Sequence, residues 1–266
     1  NKLKNYSIAG INSEIVDLKI LYVELDSTVY FNPSQVASNI NLRSDIISAL
    51  QLYSQNVEIN KFGGRFKYSK INQLIDRVDN GITSNITKVI VRRDLKASIN
   101  QFAQYELCFG NRFNINPAGF NIKSTGFTVS GSDKIAYLTD VPNKDSAGNL
   151  DGSMKGIVSI VYKNNKNQQV VLIKGAGGVD YKKGEVILNT TNITSTVADN
   201  NIIEVQAYPE SNDVVGLKDL FVSFNVSNST INMKEDVIAS GEDVSGVVFT
   251  RDYFTSSYSN GVLERK

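Results

Sequence analysis

The sequence predicts an α+β fold rich in β structure: an N-terminal strand–helix–helix–strand unit followed by one or two mainly antiparallel β domains. Three observations carry this reading. Two stretches repeat apolar residues at i, i+3, i+4 and i+7, the period of a helix with one buried face. Many short runs between turn signals alternate apolar and polar residues, the period of a half-buried strand. No heptad repeat occurs and no run approaches ~18 apolar residues, so neither a coiled coil nor a membrane-spanning helix is expected.

Residues 14–31 read as a long strand or strand pair. Val16, Leu18, Ile20 and Tyr22 share one face, and Asp17, Lys19, Leu21 and Val23 the other. The second face turns from charged to apolar, so the strand runs from a solvated edge into a covered centre until Asn32-Pro33 breaks it. The first helix is predicted to start at a Ser44 cap, with Asp45 at its positive end and a stripe of Ile46, Ala49, Leu50 and Tyr53. Gly63-Gly64 marks a tight turn. The second helix is predicted to start at a Ser69 cap, to carry Ile71, Leu74, Ile75 and Val78, and to stop at Asn80-Gly81 in the left-handed conformation. Residues 83–95 return as a strand with Ile86 and Ile90 on one face and Val89 and Val91 on the other. Gly63, Gly64 and Gly81 are thus the expected structural turns of an α+β unit spanning 1–100.

Residues 101–150 read as a β-rich connecting segment, and 151–266 as a β-rich C-terminal domain with a dimerisation arm. Gly110-Asn111, Asn116-Pro117, Gly131-Ser132 and Gly148-Asn149 are closely spaced turn signals. Residues 157–162 and 169–173 form a hairpin across the polar run 163–167, and 186–188, 202–207 and 220–226 are further strands. The polar stretch 143–152 is the expected join between the two β-rich pieces.

Little in the composition supports chemistry. The chain has no histidine, no tryptophan and one cysteine in 266 residues, so it lacks the commonest acid–base group and metal ligand. Cys108 has no thiol partner in the chain and no histidine to activate it, and reads as a small buried apolar side chain. The run from Asp140 to Asp151 lacks the spacing and closing acid of a calcium loop. Gly175-Ala-Gly177-Gly178 follows a strand, but no helix stands behind it to bind phosphate, so it reads as a glycine turn between strands. The carboxylate pairs Glu24 with Asp26 and Glu235 with Asp236 read as surface acids. The clusters Lys61, Arg65, Lys67 and Lys70, then Arg92 and Arg93, read as solvated or ion-paired faces. A net charge of +1 gives no field to attract nucleic acid or a membrane. No catalytic, cofactor-binding or metal-binding residue and no small-molecule substrate is assigned. The recognition surface that remains is the aromatic C-terminal segment with Phe249, Tyr253, Phe254 and Tyr258, expected to dock on a second copy or a neighbour. The opening at Asn1, without a cap or turn signal, reads as a piece of something longer.

Several segments carry a family likeness. They are Asp45-Ile-Ile-Ser-Ala-Leu-Gln-Leu-Tyr53, Phe62-Gly-Gly-Arg-Phe-Lys-Tyr-Ser-Lys-Ile-Asn-Gln-Leu-Ile75 and Asp79-Asn-Gly-Ile82, leading into 86–92. With Val179-Asp-Tyr-Lys-Lys-Gly-Glu-Val-Ile-Leu188, these resemble baseplate J-like proteins of contractile phage tails. Ala207-Tyr-Pro-Glu-Ser-Asn-Asp-Val-Val215 and Phe224-Asn-Val-Ser-Asn-Ser-Thr-Ile231 resemble the C-terminal part of the T4-type baseplate wedge proteins, the gene six products. The resemblance covers most of 14–260. It implies a structural, non-enzymatic part of the virion tail baseplate, assembled in the host cytoplasm, that forms a homodimer, binds other wedge proteins and links wedges into a ring around the tail hub. The family's long N-terminal region has no counterpart in this sequence.

Two other functions compete. A β-rich adhesin or tail-fibre-like module would recognise a surface glycan through loops holding Phe120, Asn121, Phe127 and Tyr137. A hydrolase would work through its carboxylates, Glu24 and Glu235 among them.

Overall fold

The computed structural model describes residues 18–56, 58–198 and 200–236, together with a short strand pair of Tyr258–Ser259 and Val262–Leu263. The chain opens with β1 (Ile20–Phe31), α1 (Asn39–Ser54), β2 (Arg65–Phe66), α2 (Tyr68–Asp76) and β3 (Ile82–Lys96). Then follow β4 (Gln101–Cys108), β5 (Lys123–Ser124), β6 (Phe127–Val129), β7 (Ala136–Pro142), β8 (Lys155–Lys163), β9 (Gln169–Asp180) and β10 (Glu185–Thr196). It returns with β11 (Ile202–Ala207), β12 (Val214–Val215), β13 (Phe221–Phe224) and β14 (Thr230–Glu235).

The first sheet has the order β13-β1-β3-β11-β5, with β14 also pairing β1. Strand alternation sets its two faces. Leu21, Val23, Leu25 and Val29 of β1 share a face with Val89, Val91 and Leu95 of β3 and with Ile203, Val205 and Ala207 of β11, as the register requires. All are buried, and they join Leu42, Ile46 and Leu50 of α1 and Ile71 and Ile75 of α2 in one core. The buried side of β1 is therefore the one that follows on from Lys19. The expected change from a solvated edge to a covered centre occurs along it, while Leu18 on the other side stays exposed. β13 and β14 run parallel to β1 and follow one another along its edge, β13 against Ile20 to Val23 and β14 against Asp26 to Phe31. Between them the chain bulges out, and Ser229 Oγ accepts from Leu25 N at 3.0 Å.

Both predicted helices form, with different starts. α1 begins at Asn39 because Leu42, one turn before Ile46, extends the apolar stripe. Its cap is Ser38, whose hydroxyl accepts from Asn41 N at 3.3 Å, while Ser44 lies inside the helix and its carbonyl accepts from Ser48 Oγ at 2.9 Å. α2 begins at Tyr68 rather than after Ser69, and its cap comes from a distant loop. Tyr68 N donates to Asp213 Oδ1 at 2.8 Å, placing a carboxylate at the positive end of the helix. Of the three expected turn glycines, Gly63 takes the left-handed conformation, with φ +64°. Gly64 and Gly81 do not, and serve by closeness instead. A Cβ on Gly64 would stand 2.1 Å from the Ile59 carbonyl oxygen, and one on Gly81 2.5 Å from Val36 Cγ2.

The second sheet is antiparallel and closes on itself. Its order is β4-β10-β6-β7-β8-β9, and β9 also pairs β10. β9 lies along the first half of β10 and β6 along the second, while β4 takes the opposite edge throughout. The five strands β6 to β10 thus make a small barrel filled by Phe127, Leu138, Val158, Ile160, Val186 and Leu188. The 157–162 and 169–173 hairpin forms as predicted, with Lys163 opposite Gln169. Gly175 to Gly178, however, lie inside β9 rather than in a turn. A Cβ on Gly177 would stand 2.0 Å from the Ile187 carbonyl oxygen, so only glycine lets β9 press against β10 there.

The sequence-based division of the chain meets a different arrangement. Position 150 falls between β7 and β8, which pair side by side from Ala136–Tyr162 to Pro142–Gly156. Residues 202–235 leave the barrel and complete the first sheet. The barrel strands are thus inserted between β3 and β11, which are neighbours.

Ile75→Ala removes a fully buried side chain and should cost about 2–5 kcal/mol of stability. Leu74→Ala, on the half-buried flank of the same helix, should cost distinctly less. Urea midpoints of the two variants compare them directly, and equal losses would show the stripe to be centred elsewhere.

Candidate functional site

The outer face of the first sheet, opposite the helices, holds an ion cluster built by strand register. Tyr22, Arg92 and Gln206 stand side by side on β1, β3 and β11. Arg92 Nε donates to Glu24 Oε1 at 2.6 Å, and its Nη1 donates to Asp94 Oδ1 at 2.5 Å and to Glu204 Oε1 at 2.7 Å. Gln206 Nε2 donates to Glu24 Oε2 at 2.7 Å, and the guanidinium lies 4.2 Å from the centre of the Tyr22 ring. Arg92 is 4% exposed and Glu24 1%. One positive charge thus faces three negative ones. Burial pushes the Glu24 and Asp94 carboxyls above their ordinary range, and the Arg92 charge offsets only part of that.

In the sequence Glu24 reads as a surface acid, and Arg92 with Arg93 as part of a solvated or ion-paired face. The structure keeps the ion pairing and buries Glu24. Arg93 turns to the inner face, where its Nη1 donates to the Cys108 carbonyl at 2.9 Å and its Nε has no partner. The signal was available: alternation along β1 puts Glu24 and Tyr22 on the face that Arg92 must share once β1 and β3 pair.

A second feature is a cleft between β3, β5, the loop 114–121 and the stretch that follows β11. The cleft, of about 750 Å³, is lined by Lys88, Ile115, Pro117, Phe120, Lys123 and Tyr208, among others. Its loop wall, residues 114–121, is held rigidly. Asn121 donates from Nδ2 to the carbonyls of Asn114 (2.7 Å) and Tyr208 (3.1 Å), and its Oδ1 accepts from Tyr208 N at 2.8 Å. The buried Asp140 carboxylate accepts from Ile122 N and from Tyr181 Oη, both at 2.6 Å. Burial, then the Asp140 contact, holds the Tyr181 phenol far above its usual value, so it stays a donor. Gly119 and Phe120 are both left-handed, with φ +85° and +68°, and Phe120 N donates to the Asp140 carbonyl at 3.0 Å. Lys123 Nζ sits 5.4 Å from the centre of the Tyr208 ring.

The remaining sequence-predicted residues do not gather into one site. Phe249, Tyr253 and Phe254 lie outside the described residues, and so does the side chain of Tyr258. Phe127 is buried in the barrel while Phe120 is exposed, so the proposed glycan-binding aromatics are split between core and surface. Glu235 ends β14, and Asp236 beside it accepts from Thr83 Oγ1 at 2.6 Å. Asp140, at the head of the run without calcium-loop spacing, is a buried strand residue. Cys108 is half-buried rather than enclosed. Among the described residues no group of three or more metal-ligating side chains converges, and no helix is long and apolar enough to cross a membrane.

Residues 19–94 match the family of the baseplate structural protein gp6, C-terminal domain III. The matched stretch takes in β1, both helices and almost all of β3, including Glu24 and Arg92. No curated protein matches the chain.

Arg92→Ala leaves three carboxylates without their cation and should cost about 3–5 kcal/mol in urea unfolding, far more than a surface arginine. Glu24 binds its proton more tightly in the folded state, so its contribution to stability falls as pH rises through and above the ordinary carboxylate range. Glu24→Gln should therefore flatten the loss of stability as pH rises above the ordinary carboxylate range, and an unchanged pH profile would show that Glu24 does not titrate there.

Proposed function

We propose that this chain, whose residues 19–94 match the family of the baseplate structural protein gp6, C-terminal domain III, is a wedge component of a contractile-tail phage baseplate. It self-associates, and it links neighbouring wedges into a ring around the tail hub. Its place is the virion tail, reached after assembly in the host cytoplasm, and its partners are a second copy of itself and other wedge proteins. It acts through surfaces and turns over no substrate. The family match over the helix-bearing unit carries this reading. The aromatic segment with Phe249, Tyr253, Phe254 and Tyr258 is the proposed arm that docks on the second copy, aromatic side chains being the usual anchors of such contacts.

Light scattering at micromolar concentration should give a dimer. Phe249→Ala with Phe254→Ala should return it to a monomer with an unchanged melting temperature. A strictly monomeric wild-type chain that fails to enter reconstituted wedges would overturn the proposal.

A further inference from the structure

The cleft beside the loop 114–121 carries an assignment of its own. Phe120 is a bulky side chain in the left-handed region, a conformation that disfavours any residue with a Cβ, and the residue is 48% exposed. Neither cost is offset by core packing. The conformation is imposed from outside: Phe120 N is bonded to the Asp140 carbonyl, and a Cβ on the preceding Gly119 would stand 2.4 Å from that same oxygen. Strain of this kind persists where the surroundings over-determine it, and it marks sites prepared for binding. The ring forms an apolar wall with Ile115 and Pro117.

The opposite side is basic. Lys88 and Lys123 have no ion-pair partner among the described residues. Of the acids nearby, Glu210 is already paired with Arg112 at 3.5 Å, and Asp26 stands beside Lys88 in register without reaching it. The cleft thus offers an exposed aromatic anchor and two lysines without a carboxylate partner among the described residues, one of which, Lys123, rests on the Tyr208 ring.

We propose that this cleft docks an extended segment of a different protein, one that places an apolar side chain on Phe120 and a carboxylate between Lys88 and Lys123. Only the identity of that protein, a neighbouring wedge component, rests on the baseplate reading; the chemistry of the cleft does not.

The test uses the full chain and a fluorescein-labelled peptide of alternating Asp and Leu, with a Lys-for-Asp version and a single-stranded oligonucleotide as controls. The acidic peptide should bind and weaken with salt, and both controls should fail. Lys88→Glu with Lys123→Glu should weaken binding at least tenfold. Phe120→Gly should weaken it roughly thirtyfold. Glycine accepts the left-handed backbone, so Phe120→Gly should leave the melting temperature unchanged or raise it. No binding, equal binding of either control, or a Phe120→Gly chain that melts lower would overturn the proposal. So would a Phe120→Gly chain that loses self-association, because the occupant would then be a second copy. Normal dimerisation and wedge incorporation by a chain that binds no peptide would remove this inference alone.

Discussion

One guanidinium ties together the three central strands of the first sheet. Arg92 sits on β3 and holds Glu24 of β1 on one side and Glu204 of β11 on the other. β11 reaches β3 only after the chain has built the whole barrel, and closing a loop of that length has an entropic cost that grows with the logarithm of its size. The contacts that offset it form only when β11 docks: Ile203, Val205 and Ala207 on the inner face and the Glu204 and Gln206 bonds on the outer. Buried ion pairs are weak sources of net stability, but they discriminate between registers. A slip of one residue would carry Glu204 and Gln206 into the apolar core and leave Arg92 short of a partner.

What was legible in the sequence follows from the range of the interaction involved. Helix stripes and hairpins are local patterns, and both helices, β1, β3 and the β8–β9 pair appear where the period puts them. The caps were misplaced because serine is common and the choice depends on distant groups. Ser38 wins over Ser44 because Leu42 is buried, and α2 is capped by Asp213, far along the chain. Gly175 to Gly178 read as a turn because glycine spacing does not reveal whether a neighbouring backbone comes close, as Ile187 does. The return of 202–235 to the first sheet left no local trace. Strands that pair across a hundred residues look like any others.

The candidate surfaces were less legible than the fold. Glu24, Arg92, Glu204 and Gln206 are ordinary polar residues until three strands are laid side by side. Phe120 and Asn121 were singled out together as aromatic and amide loop residues, yet their roles differ. Asn121 is nearly enclosed and spends its side chain fastening Asn114 to Tyr208, whereas Phe120 is displayed. This division of labour, a satisfied polar group fixing the backbone behind an exposed ring, lets a loop between two sheets keep one shape.

The parallel pairing of β1 with β13 and β14 has a mechanical consequence. Tension on the chain leading into β1 and on the chain leading out of β14 pulls the two neighbouring strands lengthwise past one another. Every hydrogen bond along that seam is then loaded at once in shear, instead of peeling open one after another. The outermost seam of this sheet therefore resists tension along the chain through all of its hydrogen bonds together.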